Sequence, residues 1–277
     1  METVERAESQ KIPSKVREAF HTWNAYSEQA ESLVHLTHDG LRRVQIAPEI
    51  SKILDDALES ETNSHQRKYE IENARRAEDE ARSGFPTLHA HSLLGLWGAF
   101  ESFIEDLVIA VLQTRPELLD GHPFTKVRIP VSVVSMTDDH ERTAAIFYEA
   151  SKTIGAEPTL GTTKFERQLK LVGLDGAVPP LVSENIYKAQ QIRNIWAHRA
   201  GKADTRFIER CPNLGFRAGD RVMLDYQTFS PLMHGLHMYG TVILNRYLES
   251  MGRDVVFAEC PGYKGSLQFK DETNKKN

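Results

Sequence analysis

The sequence predicts a mainly all-α protein: a helical bundle with long N-terminal helices and one small β-hairpin insertion. Three observations predict it. Apolar residues recur at steps of three and four over long stretches, the period of an amphipathic helix. Runs that suit a strand are short and confined to 127–136 and 221–226. Prolines, glycines and capping residues fall where those helical stretches begin and end.

The first helix is expected to start at Pro13-Ser14, with Ser14 as a possible cap. Val16, Phe20, Trp23, Ala30, Val34, Leu41 and Val44 carry its stripe, with a possible break at Asp39-Gly40. Pro48 suits the first turn of a second helix, striped by Ile50, Ile53, Leu54, Ala57 and Leu58. Residues 61–82 are highly charged, reading as a solvated helix or a mobile arm. Ser83-Gly84-Phe85-Pro86 breaks the chain. The most apolar helix follows at about 87–114, where Leu93, Leu96, Trp97, Phe100, Phe103, Ile104 and Leu107 mark the central core. Residues 127–136, with Pro130, read as a short extended segment.

Helices are expected from Asp138-Asp139 to Ala150 and from about Thr163 to Val172, the latter ended by Gly173. Leu174 to Pro180 is a link, since a double proline cannot be helix interior. Ser183 caps the next helix, Glu184 to Ala200, with Gly201 just beyond it. Turns and a hairpin fit 205–226, and a last helix runs from about Phe229 to Ser250. The expected organisation is a helical extension at 1–83, a helical domain at 84–252 and an irregular tail at 253–277.

Composition narrows the function. A length of 277 residues allows one large domain or two modest ones, and 40% apolar residues suffice for a core. A net charge of -5 argues against non-specific coating of nucleic acid, but leaves room for one local cationic site. Cys211 and Cys260 form no CxxC, so neither a disulfide framework nor a zinc site is expected. His89-x-His91 and His234-x-x-His237 have metal-like spacing without an accompanying acidic cluster, so no metal and no cofactor is expected. Met1 to Gln10 lacks the apolar core of a signal peptide, and Glu101, Glu105 and Asp106 interrupt the most apolar run. The expectation is a cytoplasmic protein without a membrane partner.

Chemistry is expected at Ile192-Arg193-Asn194-Ile195-Trp196-Ala197-His198-Arg199. On a helical wheel Ile186, Ala189, Ile192, Ile195, Trp196, Ala197 and Ala200 form an apolar arc, and Tyr187, Gln191, Asn194 and His198 lie opposite. Arg193 falls in the apolar arc, so it needs a carboxylate such as Glu101 or Glu105, a second subunit or an anionic substrate. A histidine that moves protons and an arginine that holds phosphate charge suit metal-free RNA cleavage by the substrate's own 2′-hydroxyl. In this reading Arg193 and His198 are catalytic with Asn194 in support, and Tyr187, Gln191 and Arg199 contact substrate. A two-fold dimer supplies a second histidine. The plain alternative is a capping or surface histidine, because Arg-x4-His arises by chance about once in a chain of this composition. Requiring the asparagine cuts that to roughly a few per cent. Arg206, Arg210, Arg217 and Arg221 either line an RNA groove or are solvated turn charges.

Arg193-Asn194-x-x-x-His198 resembles the signature of HEPN-superfamily ribonucleases. The flanking Phe165-Glu166-Arg167-Gln168-Leu169, Cys211-Pro212, Leu214-Gly215 and Gly219-Asp220 fit that likeness, as does Leu96-Trp97-Gly98-Ala99-Phe100-Glu101-Ser102-Phe103 for RiboL-PSP-HEPN-like proteins. The resemblance covers about 85–250. It implies a helical-bundle homodimer and a metal-independent endoribonuclease acting on RNA, in toxin–antitoxin or antiphage settings that add an antitoxin or regulatory partner. It also covers members that bind RNA, a nucleotide or a protein without cutting.

Overall fold

The computed structural model describes residues 11–59, 62–154 and 160–255, and these are almost entirely helical. The helices are α1 (Ser14–Leu58), α2 (Ser64–Arg82), α3 (Pro86–Thr114), α4 (Val131–Val134), α5 (Asp139–Thr153), α6 (Thr162–Leu169), α7 (Pro180–Arg199), α8 (Thr205–Arg210) and α9 (Tyr226–Ser250). Short 3-10 turns follow α3, α6 and α8. The expectations for Met1 to Gln10, Cys260 and the last residues of the tail fall outside the described residues.

Several boundaries follow local chemistry. Asp138 accepts hydrogen bonds from the backbone N–H groups of His140 and Glu141, fixing the start of α5. Asn63 caps α2 through His65 N–H. Gly173 ends the α6 stretch in the left-handed conformation expected of it. Pro180 occupies the first position of α7, where its missing N–H costs nothing. Ser183 therefore sits one turn inside the helix, paired with the Thr162 hydroxyl at 3.2 Å, rather than capping it.

Three expectations are corrected. α1 is one continuous 45-residue helix: Gly40 does not break it, and Pro48 lies inside it. Residues 131–134 form a single helical turn after Pro130 instead of an extended strand. Among the described residues no strand lies beside them, and Val131 and Val134 stay exposed. The hairpin after α7 reduces to one antiparallel bridge, Lys202 to Arg221. Backbone bonds from Ala203 N–H to Asp220 O and from Val222 N–H to Gly201 O close that loop without extending into strands.

The chain divides into two compact units, each built from separated segments. The first comprises described residues 11–23, 100–154, 160–187 and 234–255. Its core is aromatic: the Trp23 and Phe100 rings meet edge-on at 4.9 Å, Phe20 meets Phe103 at 5.2 Å, and Phe100 meets Phe165 at 5.1 Å. Gly240 admits Trp23, since a Cβ there would stand 2.7 Å from the indole nitrogen. Glu166 accepts two bonds from Arg246, one from the Tyr239 hydroxyl and one from Gly176 N–H. This satisfies a largely buried ion pair and ties the turn after α6 to α9.

The second unit comprises described residues 24–59, 62–99 and 188–233. Here α2 returns antiparallel along α1: Arg67 pairs with Asp55, and Gln45 donates to the Ala77 carbonyl at 3.1 Å. The charged stretch is thus a docked helix, with Ala77 as its buried residue. The expected apolar stripe of 50–58 does not enter a core, because Ile50, Ile53, Leu54 and Leu58 are exposed. Trp97, expected in the core, is fully buried.

Candidate active site

The C-terminal half of α7 builds the site. Val182, Ile186, Ala189, Ile192 and Ile195 are buried at helical spacing, and the opposite side of the last turns turns to solvent. Ala197 and Ala200 of the expected apolar arc are exposed instead. Ala200 and Gly201 then take left-handed backbone angles, and Gly201 N–H closes on Ile195 O at 3.2 Å. A Cβ at Gly201 would stand 3.1 Å from the Trp196 indole, so the position needs glycine for space as well as for φ. The indole N–H donates to Val222 O at 3.2 Å, and the Arg221 guanidinium lies 5.2 Å above the ring. These contacts fix where α7 stops.

Three residues later Asp204 accepts a bond from Phe207 N–H at 2.8 Å and caps α8. The turn brings α8 back against α7. Between them lies a cleft of about 270 Å³ lined by Asn194, His198, Arg199, Arg206 and Arg210, with Gln191, Ile195, Asp204 and Phe207 completing the wall. Three guanidiniums face one carboxylate, so the cleft carries excess positive charge in a chain whose net charge is negative. Asp204 pairs with Arg199, at 3.8 Å. His198 is exposed at the mouth.

The placement of the expected residues is uneven. Asn194, His198, Arg199 and Gln191 come together in the cleft. Gln191 is buried rather than solvent-facing, and its amide oxygen accepts from Arg210 at 3.1 Å, which aims that guanidinium. Arg193 does not line the cleft; it donates to Asn194 Oδ1 at 3.2 Å and so reaches the site through the asparagine. Tyr187 lies in the first unit, packed at Gly161. There Glu101 pairs with Lys164 and Glu105 accepts from the Tyr148 hydroxyl at 3.0 Å. Of the four arginines that follow α7 in the sequence, Arg206 and Arg210 line the cleft, and Asp204 two residues before Arg206 is the capping signal that starts their helix. Arg217 and Arg221 lie outside the cleft wall.

Comparison of the chain with protein-family models, with curated proteins and with solved structures returns no match. Among the described residues no group of three His, Cys, Asp or Glu side chains is arranged to hold a metal ion, and no helix is long and apolar enough to cross a membrane. Burial pushes the Cys211 thiol up, against Lys188 and Arg210, which leaves it a poor nucleophile.

A second cluster in the same unit was not foreseen. His89 is fully buried, its ring parallel to Phe229 at 4.9 Å. Its Nδ1 lies 2.7 Å from Leu224 O, and since a carbonyl only accepts, Nδ1 carries the hydrogen. The other nitrogen, Nε2, lies 3.1 Å from His38 Nε2, which must then be the donor. His89 is thereby engaged by His38 and Leu224, not by His91 two residues on. Phe85, at the uncommon φ of 57°, lays its ring on His38 at 4.0 Å.

Proposed function

We propose that this chain is a metal-independent endoribonuclease of the HEPN type, acting on single-stranded RNA at the α7–α8 cleft. One observation carries the reading: an excess of arginine converges on the histidine and asparagine of an Arg-Asn-x-x-x-His helix end. A scissile phosphate in the cleft meets Arg199, Arg206 and Arg210, which offset charge as it builds on the phosphorane oxygens. The adjacent 2′-hydroxyl loses its proton and attacks phosphorus. The 5′-oxygen leaves and takes up a proton, and a 2′,3′-cyclic phosphate remains. His198 serves one of the two proton transfers. Asn194, held by Arg193, orients the phosphate or the imidazole. A single chain offers one His198, and a two-fold copy supplies the second.

The test is cleavage of single-stranded RNA by purified protein in EDTA. Wild type is expected to cut, and His198→Ala to lose about 100-fold or more of the rate. Equal rates for the two proteins exclude the site assignment.

A second reading is a non-cutting module that holds RNA, a nucleotide or a partner protein. One observation favours it: Arg193 is engaged with Asn194 and does not line the cleft. It predicts salt-sensitive RNA binding by wild type, weakened by Arg206→Ala, with no cleavage by either protein.

A further inference from the structure

We propose that a second cleft of this unit, beside the His38–His89 pair, binds an alkylammonium ion that carries N–H groups, as a polyamine or a lysine side chain does. The cleft measures about 560 Å³ and is walled by His35, His38, Asp39 and Arg42 of α1 and by Asp225 and Tyr226 at the entry to α9. That volume falls within the ~300–1,000 Å³ of small-molecule sites. None of these residues lines the α7–α8 cleft, and the inference does not rest on the proposed RNA cleavage.

The turn before α3 builds the back of the cleft. Gly84 and Phe85 take left-handed φ values of 81° and 57°. A Cβ at Gly84 would stand 3.1 Å from Asp225 Cβ, so glycine lets the turn close on Asp225. A left-handed phenylalanine persists only where its surroundings hold it. Here its ring backs the His38 imidazole at 4.0 Å, and His89 Nε2 accepts from His38 Nε2 at 3.1 Å. His38 is thereby fixed from two sides. At pH 8 the ring is neutral, so its Nδ1 carries a lone pair. No hydrogen bond to that Nδ1 forms among the described residues.

Three features of the wall favour a cation. The first is the set of rings. His35 meets His38 at 6.5 Å and 87°, His38 meets Tyr226 at 6.1 Å and 72°, and His35 meets Tyr226 at 6.0 Å and 57°. Steeply inclined rings make a corner of π faces, which suits a compact cation; a flat base needs a parallel slot. The second is a surplus of acceptors. Asp225 spends Oδ1 on Thr228 N–H at 2.8 Å and keeps Oδ2, and His38 Nδ1 and the Tyr226 hydroxyl oxygen add to it. The third is charge. Asp39 and Asp225 face a single guanidinium, Arg42, which stands 3.9 Å from Asp39 with both side chains exposed. Asp225 is left as the carboxylate without a cationic partner. An anion gains little here, because Asp225 already caps the entry to α9.

The experiment titrates spermidine and, separately, Nα-acetyl-lysine methylamide into the full chain by calorimetry at pH 8 and matched ionic strength. At least one is expected to bind at a single site. Tighter binding of spermidine assigns the site to a free polyamine, and tighter binding of the lysine amide to a side chain of a partner protein. Asp225→Asn keeps the cap, removes the charge and is expected to weaken binding about fivefold or more. Tyr226→Leu is expected to weaken it about twofold or more. Arg42→Gln releases Asp39 and is expected not to weaken binding, tightening it by up to about fivefold. All three side chains lie at the surface or half-buried, and unchanged circular dichroism checks that each variant folds. No saturable binding of either amine at millimolar concentration overturns the proposal. So does an affinity unchanged by Asp225→Asn or by Tyr226→Leu, or a loss of affinity in Arg42→Gln, the mark of an anion site.

Discussion

Gly201 sets the end of the α7 site through two independent constraints, a left-handed φ and an indole at contact distance. Gly201→Ala imposes both costs and is expected to destabilise the fold by about 1–3 kcal/mol, read from the urea midpoint. The His38–His89 pair gives a second residue-scale prediction. Burial lowers both histidines from their ordinary value. For His38 the neighbouring His89, His35 and Arg42 push further down while Asp39 opposes; for His89 the Leu224 carbonyl, Asp225 and Glu80 oppose. A histidine with a lowered folded pKa stabilises fully above its unfolded value of about 6.5, and that contribution is lost as pH falls through the folded pKa. Thermal stability is therefore expected to drop as pH falls below about 6.5, and His89→Gln to flatten that slope. An unchanged slope in the variant excludes the pair as its source. Asn194 and His198 were legible from their four-residue spacing on one helix. The partnership of His38 with His89 was not, because nothing local records a contact across 51 residues.

At the scale of elements, the site depends on a cap. Asp204 starts α8 and so carries Arg206 and Arg210 to His198. Asp204→Ala is expected to cost about 1 kcal/mol in stability and to weaken RNA binding by a similar factor to Arg206→Ala. Retained binding would separate the cap from the cleft. Helix periodicity made α3, α5, α6, α7 and α9 legible within a few residues, since each buries one apolar face. It failed where a breaker was overruled. Gly40 costs a helix about 1 kcal/mol and Pro48 about 3 kcal/mol with one backbone bond lost, and the remaining bonds of a 45-residue helix with α2 docked alongside outweigh them. Valine-rich 131–134 has strand composition, but a strand needs a neighbour to bond with, and among the described residues it has none. The stripe at 50–58 shares a helix face as its spacing predicts, yet it is exposed; periodicity gives the face of a helix and not what covers it.

At the scale of the whole molecule, the fold rests on two units that each close a polar network around an apolar core. In the first, Glu166 gathers Arg246, Tyr239 and Gly176. Removing the carboxylate leaves the largely buried Arg246 guanidinium with the Leu174 and Ala177 carbonyls but without this counter-charge, and takes the acceptor from the Tyr239 hydroxyl, so Glu166→Ala is expected to cost about 3–5 kcal/mol in a denaturation experiment. Burial and Glu166 together push Tyr239 well above the ordinary phenol range, so it stays a donor at any working pH. The second unit holds the cleft, and there the molecule's net negative charge gives way locally to an excess of arginine. The account's central claim is that this cleft cuts RNA through the substrate's own 2′-hydroxyl. The direct measurement incubates wild-type protein in EDTA with one cleavable oligoribonucleotide and with its analogue carrying a single 2′-deoxy group at the scissile position. Cleavage of the first to a 2′,3′-cyclic phosphate, with the second left whole at that bond, is the predicted result. Equal cleavage of both oligonucleotides at that bond, or ends bearing a 5′-phosphate, would contradict it.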